Sequence, residues 1–281
     1  MTTHAPSINA PHSLREASPA LVMFGRAGYA AKGVVYIVIG ALAARVATGN
    51  GGQMTDSGGA LQTIENGPLG TVAMSLIAIG LVGYMVWRLV AAITDAEGKG
   101  DEPSKLVVRA AQAGRGLLYG ALALQAIALL RNRGGGGEGN AAEDWSAQLL
   151  QLPYGRLLVG AAALGILGYA AYQLYRAASA DKVRKHLDLG SAGHTQATWI
   201  VRLGRFGIAA RAVVFAMIGV FLGRAALQSD SSEAGGFADS MRALASADNG
   251  PWVLGAIAFG LMAYGVYQLA TARYRRMRAV G

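Results

Sequence analysis

One four-residue pattern occurs three times in this sequence, and that repetition constrains the fold more than any other feature. Each copy has a small, a basic, an aromatic and a second small residue at intervals of four: Gly28, Lys32, Tyr36 and Gly40; Ala111, Arg115, Tyr119 and Ala123; Gly207, Arg211, Phe215 and Gly219. Residues four apart lie on one face of an α-helix, so each copy predicts a helical ridge with a central basic residue. A further arginine precedes that residue by six positions in every copy, and these arginines are also candidate anion- or lipid-binding residues: Arg26, Arg109 and Arg205.

A second motif follows each ridge at a nearly constant distance. It begins at Gly80, Gly165 and Gly260, which lie 48, 50 and 49 residues after the central basic residues, and it carries Tyr84, Tyr169 and Tyr264. The combined spacing predicts a helical hairpin repeated three times. We divide the chain into a polar tail (1–20) and three repeats (21–98, 99–181 and 182–281), the last with a basic tail.

The apolar segments predict an all-α polytopic membrane protein. Hydrophobic residues make up 53% of the chain and charged residues 15%, whereas a soluble domain has about 25% charged residues. Six segments reach about 20 residues, enough to cross a bilayer core of about 30 Å. We place them near 21–47, 69–93, 107–131, 154–176, 201–226 and 251–273. Short amphipathic helices are expected in the loops inside the hairpins, where Asp56, Glu143 and Asp239 are expected to complement the helix dipoles.

The distribution of Lys and Arg predicts the topology. Six of the 25 lie in the loops inside hairpins, and the rest lie in the tails, the linkers between hairpins and the adjoining helix ends. The positive-inside rule therefore predicts that both termini are cytoplasmic. All three hairpins then share one orientation, as parallel repeats about a pseudo-threefold axis along the membrane normal.

The R-x-G-x-x-A-K-G-V-V-Y ridge, the short loop helix and the G-x-x-G-Y-x-x-W-R segment, in three copies over residues 21–276, resemble the bacterial membrane family catalogued as domain of unknown function 1206. This resemblance implies six helices in the bacterial plasma membrane and no assigned activity. The second repeat departs from the pattern by having Ala111 and Ala123 in place of the ridge glycines.

The ridge cations have three interpretations. Lys32 lies only about 20 Å along the helix from Arg45, less than the thickness of the hydrocarbon core, so some of these charges must snorkel, lie below the interface or line a wet cavity. In the first interpretation they snorkel to the cytoplasmic headgroups. In the second, Lys32, Arg115 and Arg211 form a basic ring around the axis, with Tyr36, Tyr119 and the second-motif tyrosines beside it, and bind an anion or a lipid phosphate. In the third, the ridges face separate partners.

Other residues have simpler expected roles. Trp87, Tyr172 and Tyr267 are expected in the interfacial aromatic belt, and the paired glycines at 80 and 83 and at 165 and 168 are expected to permit close helix packing. The basic linker around Lys182 and the basic C-terminal tail are expected to contact anionic lipid.

Two functional hypotheses follow. The apolar segments contain no Asp, Glu or His, which disfavours proton-coupled transport, and no pattern indicates an enzyme, a cofactor, a metal site or nucleic-acid binding. The first hypothesis is a non-enzymatic membrane scaffold or lipid-binding module whose partners are anionic membrane lipids. The second is a passive channel or carrier for an anionic solute through the centre of the three repeats.

Overall fold

A computed structural model describes residues 19–50, 54–94, 103–131, 141–185, 187–190 and 192–275. Within these ranges the regular structure is helical, apart from one antiparallel bridge between Leu187 and Arg275. Most of the predicted polar tail and the last six residues of the basic tail lie outside the described residues.

Six long helices confirm the predicted spans. They are α1 (Pro19–Ala47), α3 (Gly70–Thr94), α4 (Pro103–Leu130), α6 (Gly155–Ala178), α8 (His194–Gln228) and α10 (Gly250–Tyr274). All six are long and apolar enough to cross a membrane. A helix satisfies all its backbone hydrogen bonds within one segment, which is why apolar runs of this length cross lipid as helices. The largest difference from the predicted bounds is at the start of α8, which begins seven residues before the predicted span.

Short helices occupy the loops inside the three hairpins, as predicted. These are α2 (Ser57–Glu65), α5 (Ala141–Leu150) and α9 (Phe237–Ala245), and a further short helix, α7 (Ala180–Arg184), lies in the linker after α6. The Asp56 side chain accepts hydrogen bonds from the backbone N–H groups of Gly58 (2.8 Å) and Gly59 (3.1 Å), so it is the N-cap of α2. This contact satisfies two of the free N–H groups at the helix start.

The same tight turn joins the loop helix to the second long helix in all three repeats. The residue before that helix has a left-handed backbone in each case, at Leu69 (φ 63°), Tyr154 (φ 64°) and Asn249 (φ 61°). The glycine that follows donates a backbone hydrogen bond three residues back, over 2.9, 2.9 and 2.7 Å. Three non-glycine residues in this uncommon conformation at equivalent positions indicate that the repeats share a local structure.

The long helices form a ring in chain order that is open at one place. Helix α1 packs against α3 and α10, α3 packs against α4, α6 packs against α8, and α8 packs against α10. Helices α4 and α6, the two long helices of the second repeat, barely touch. Their most apolar windows are only 28% and 22% buried, against 44–56% for the other four spans. The ring is therefore interrupted inside the second hairpin, and the pseudo-threefold axis stays a prediction.

The linkers and the C-terminal end meet at one end of the bundle. The backbone N–H of Asp188, in the linker between the second and third hairpins, donates to the carbonyl of Tyr274 at the end of α10 (2.6 Å). The Arg275 guanidinium lies 4.9 Å from the ring of Tyr29, near the start of α1. We call this the basic end; the loop helices α2, α5 and α9 lie at the opposite end, because each follows the far end of its first long helix.

Candidate functional site

A cluster of cations and aromatic rings lies in the middle of the bundle, and all six long helices contribute to it. We call it the basic-aromatic cluster and define it by Lys32, Arg88, Arg115, Arg211, Tyr29, Tyr36, Tyr84, Tyr119, Tyr169, Phe215 and Tyr264. The structure thus brings the three predicted ridge cations together with all five predicted tyrosines.

Lys32 occupies the centre of the basic-aromatic cluster. Its side chain is only 7% exposed, and its Nζ lies 4.9 Å from the ring centroid of Tyr119 and 5.5 Å from that of Tyr264. The rings of Tyr84 and Tyr36 follow at 5.9 and 6.0 Å. Among the described residues, no hydrogen-bond acceptor or carboxylate pairs with this ammonium group. Its stabilisation comes from the faces of four rings, each contributing on the order of 0.5–2 kcal/mol.

Arg211 shares two of these rings with Lys32. Its guanidinium donates hydrogen bonds to the Tyr36 hydroxyl (Nε, 3.0 Å) and the Tyr264 hydroxyl (Nη1, 3.1 Å). The guanidinium carbon lies 4.8 Å from the Phe215 ring, one turn along α8. Because a hydroxyl carries no charge, these contacts satisfy N–H donors without neutralising the positive charge.

A further buried cation was missed by the sequence analysis. Arg88 is 6% exposed and donates to the hydroxyls of Tyr84 (2.9 Å) and Tyr29 (2.8 Å). The equivalent positions in the other repeats, Gln173 and Gln268, are also buried. Comparison of the three second motifs would have found this position, since polar side chains occupy it each time within an apolar segment.

Arg115 lies at the edge of the basic-aromatic cluster, on the side where the ring of helices is open. It is half-buried, and its guanidinium carbon lies 5.4 Å from the ring of Tyr169 on α6. The same ring lies 6.0 Å from the Arg211 guanidinium and packs edge-on against Phe215 at 5.4 Å. The contact between Arg115 and Tyr169 therefore joins α4 to α6 within the cluster.

The snorkelling interpretation is wrong for Lys32 and Arg211. Lys32 lies ten residues from Val22, the start of its span, which places it about 15 Å along the helix. Its ammonium group points between helices rather than toward the end of the bundle, because four rings from α1, α3, α4 and α10 surround it. The second motif supplies two of these rings. Contact of the ammonium group with the rings is therefore more favourable than extension of the side chain toward the headgroups.

The arginines six positions earlier do not join the basic-aromatic cluster. Arg109 donates to the carbonyls of Ala92 and Ile93 at the end of α3, both over 2.7 Å. Arg205 donates to the carbonyls of Ala177 (2.8 Å) and Ala178 (3.1 Å) at the end of α6. These bonds satisfy carbonyls that a helix end leaves free and place a cation at the negative end of the helix dipole. Each arginine thus fastens one repeat to the preceding one, whereas Arg26 is exposed.

Two other expectations need correction in part. Tyr172 is 55% exposed and fits the aromatic belt, but Trp87 (2%) and Tyr267 (6%) are buried between helices. Close packing at the paired glycines holds in the first repeat, where a Cβ on Gly83 would lie 2.9 Å from the Cβ of Phe24. It fails for Gly165 and Gly168, because no atom of the described residues lies within 4 Å of such a Cβ at either position. The glycine expectation fails because the second hairpin is open, whereas Trp87 and Tyr267 are buried because α3 and α10 each pack against two neighbouring long helices.

The charge of the basic-aromatic cluster has no complement within the spans. None of the six spanning helices contains an Asp or Glu residue. Burying unpaired cations costs several kcal/mol per ion, and tyrosine rings offset only part of that cost. The arrangement is suited to binding an anion through guanidinium and ammonium donors, with tyrosine hydroxyls as additional donors.

These features define a polytopic membrane protein built from three tandem hairpins around a buried basic-aromatic cluster. Segments 27–95, 110–180 and 206–275 match the family described as Domain of Unknown Function (DUF1206), and the chain belongs to this family. The "Uncharacterized protein YxxB" of Bacillus subtilis (strain 168) is 34% identical over 263 residues, which cover 94% of each chain. No solved structure matches the chain.

Proposed function

We propose that this protein is a non-enzymatic membrane module that binds the phosphate of an anionic lipid through the basic-aromatic cluster. One observation carries the proposal: Lys32 and Arg211 are buried in spans that contain no carboxylate. An anion bound beside Lys32 and Arg211 would supply the negative charge that the spans lack.

Anionic lipid is the anion that surrounds such a protein at high local concentration. A lipid phosphate accepts charge-assisted hydrogen bonds from guanidinium groups, often two at a time. Its acyl chains remain in the hydrocarbon while the phosphate reaches inward, so binding does not require an aqueous route. The tyrosine rings that fill the space between Lys32 and Arg211 support a binding site better than an open path.

The proposal includes a location and an orientation. The protein lies in the bacterial plasma membrane with both termini and the basic end facing the cytoplasm. The excess of Lys and Arg in the linkers and tails supports this orientation.

Lipid retention tests the proposal. The protein is released from nanodiscs containing phosphatidylglycerol and phosphatidylcholine with identical chains, and native mass spectrometry measures which lipid remains bound. At roughly 1 kcal/mol for each basic residue, two cations predict a preference of about 30-fold for phosphatidylglycerol. The double variant Lys32→Gln/Arg211→Gln is expected to lose this preference.

A matched control is built into the same helices. Arg45 and Arg224 each lie 13 residues beyond Lys32 and Arg211, near the opposite end of the bundle, and both are exposed. The double variant Arg45→Gln/Arg224→Gln removes the same charge and should keep the preference. The exchange Lys32→Arg/Arg211→Lys conserves the charge and reports whether the site tolerates substitution. Equal retention of both lipids by the wild-type protein would refute the proposal.

Passive permeation of an anionic solute is the second candidate, because cations from all three repeats converge in the cluster. It predicts anion flux in proteoliposomes that falls when Lys32, Arg115 and Arg211 are all changed to Gln. Absence of flux in both proteins would refute permeation and leave lipid binding as the function.

A further inference from the structure

We propose that the gap between α4 and α6 is a lateral opening through which one phospholipid places its phosphate at Arg115 and the basic-aromatic cluster while an acyl chain fills the gap. This inference rests on the proposed function and adds the route, the bound lipid and the residues that line the site.

The gap has a cause in the sequence. In the first repeat Gly28 packs against α3 so closely that an added Cβ would collide with Tyr84 Cβ and lie 2.8 Å from the carbonyl oxygen of Gly80. Gly207 packs against Tyr264 of α10 in the same way. The equivalent residue of the second repeat is Ala111, and its methyl group prevents α4 and α6 from closing in this manner. Ala111 is exposed.

Both walls of the gap are small or apolar. On α6, Gly165 and Gly168 face open space, and Leu158 and Tyr172 on the same side are 46% and 55% exposed. On α4, Leu118 is 69% exposed, one turn from Arg115. An acyl chain fits a groove of this composition, because glycine lets it approach the helix backbone closely.

The basic-aromatic cluster forms the inner end of this groove. Arg115 lies between α4 and α6 with its guanidinium over Tyr169, and Arg211 approaches the same ring from α8. Lys32 points across the bundle toward Tyr119 of α4, and it has no hydrogen-bond partner among the described residues. Arg176 lies two turns along α6 from Tyr169 on the same face, toward the basic end. A phosphate at the inner edge of the gap thus meets cations from α4 and α8, and Arg176 lies farther along α6 toward the basic end.

Charge complementarity identifies a lipid as the occupant. A second copy of this chain would bring four more cluster cations and no carboxylate in any span, so it leaves the charge uncompensated. A soluble anion compensates the charge but leaves the apolar walls of the gap uncovered. A phospholipid with a net negative charge satisfies both requirements.

Filling the gap tests the inference. Gly165→Leu extends a side chain into the groove, where no atom of the described residues lies within 4 Å of the added Cβ. Ala171→Leu is the matched control, since Ala171 is exposed on α6 but is turned 120° away from Gly165. Retention of phosphatidylglycerol and phosphatidylcholine is measured as above. Gly165→Leu is expected to reduce the preference from about 30-fold to below about 3-fold, whereas Ala171→Leu retains it.

The outcomes separate the two proposals. If Gly165→Leu keeps the full preference while Lys32→Gln/Arg211→Gln loses it, the lateral opening is refuted and lipid binding stands. If the wild-type protein shows no preference, both proposals fail. Thermal stabilisation of the wild type by inorganic phosphate equal to that by phosphatidylglycerol would also overturn the lateral opening, because a soluble ion needs no groove.

Discussion

Alanine substitution of a glycine in a long helix should have opposite effects in the first and second repeats. Gly28→Ala introduces a Cβ that would lie 2.8 Å from both the carbonyl oxygen of Gly80 and the Cα of Tyr84. These are backbone atoms, so no side-chain rotation relieves the collision and α1 must move away from α3. Gly168→Ala introduces the same methyl group at a position where, in the part of the chain that the structure describes, no atom lies within 4 Å of the added Cβ.

The magnitudes follow from these contacts. Overpacking costs about 1–3 kcal/mol, and the upper figure applies when backbone must shift. Alanine in a helix gains about 0.5–1 kcal/mol over glycine. We therefore expect Gly28→Ala to lower the free energy of unfolding by about 2 kcal/mol and Gly168→Ala to raise it by about 0.5–1 kcal/mol. The difference, about 3 kcal/mol, is more than a 100-fold change in the unfolding equilibrium.

Reversible unfolding in mixed detergent micelles, followed by far-ultraviolet circular dichroism, measures both free energies. Gly207→Ala is a second test, because an added Cβ there would lie 2.7 Å from the Cβ of Tyr264. The reasoning is refuted if Gly28→Ala and Gly168→Ala change the free energy by the same amount, because both hairpins would then be packed alike.

Three further predictions concern the inter-repeat arginines, a helix cap and the buried tryptophan. Arg109→Ala and Arg205→Ala should each lower the free energy of unfolding by about 1–3 kcal/mol, since each removes charge-assisted hydrogen bonds to two carbonyls. Arg26→Ala is the control and should have little effect. Equal effects of all three substitutions would contradict the capping role of Arg109 and Arg205. Asp56→Ala should cost about 1 kcal/mol and speed proteolysis in the loop around α2, while unchanged cleavage would speak against the cap. In single-tryptophan variants, brominated lipid should quench the fluorescence of Trp252 (82% exposed) but not that of Trp87 (2% exposed); strong quenching of Trp87 would place it at the lipid surface.

The periodic features of the fold were accessible from sequence. Repetition of the ridge and of the second motif predicts the hairpins, and acid-free apolar segments predict the spans. The convergence of Lys32, Arg115 and Arg211 follows from parallel repeats, because equivalent positions then reach the same depth.

Contacts between residues of different helices could not be predicted from the sequence. Snorkelling of Lys32 was a reasonable expectation for a single helix, and it is wrong because rings from three other helices surround the ammonium group. The exchange of a ridge glycine for Ala111 was visible in the sequence. Its consequence, an open hairpin, required the knowledge that the equivalent Gly28 contacts the backbone of α3.

The most direct test of the central claim is a distance between lipid phosphorus and guanidinium nitrogen. Protein labelled with ¹⁵N-arginine in phosphatidylglycerol bilayers is studied by ³¹P–¹⁵N dipolar recoupling, and comparison with Arg115→Lys and Arg211→Lys identifies the signals of the basic-aromatic cluster. A guanidinium bound to phosphate lies within about 5 Å of phosphorus, so these two arginines should show strong dephasing. Folded protein in which neither Arg115 nor Arg211 is dephased by phosphorus would contradict the account.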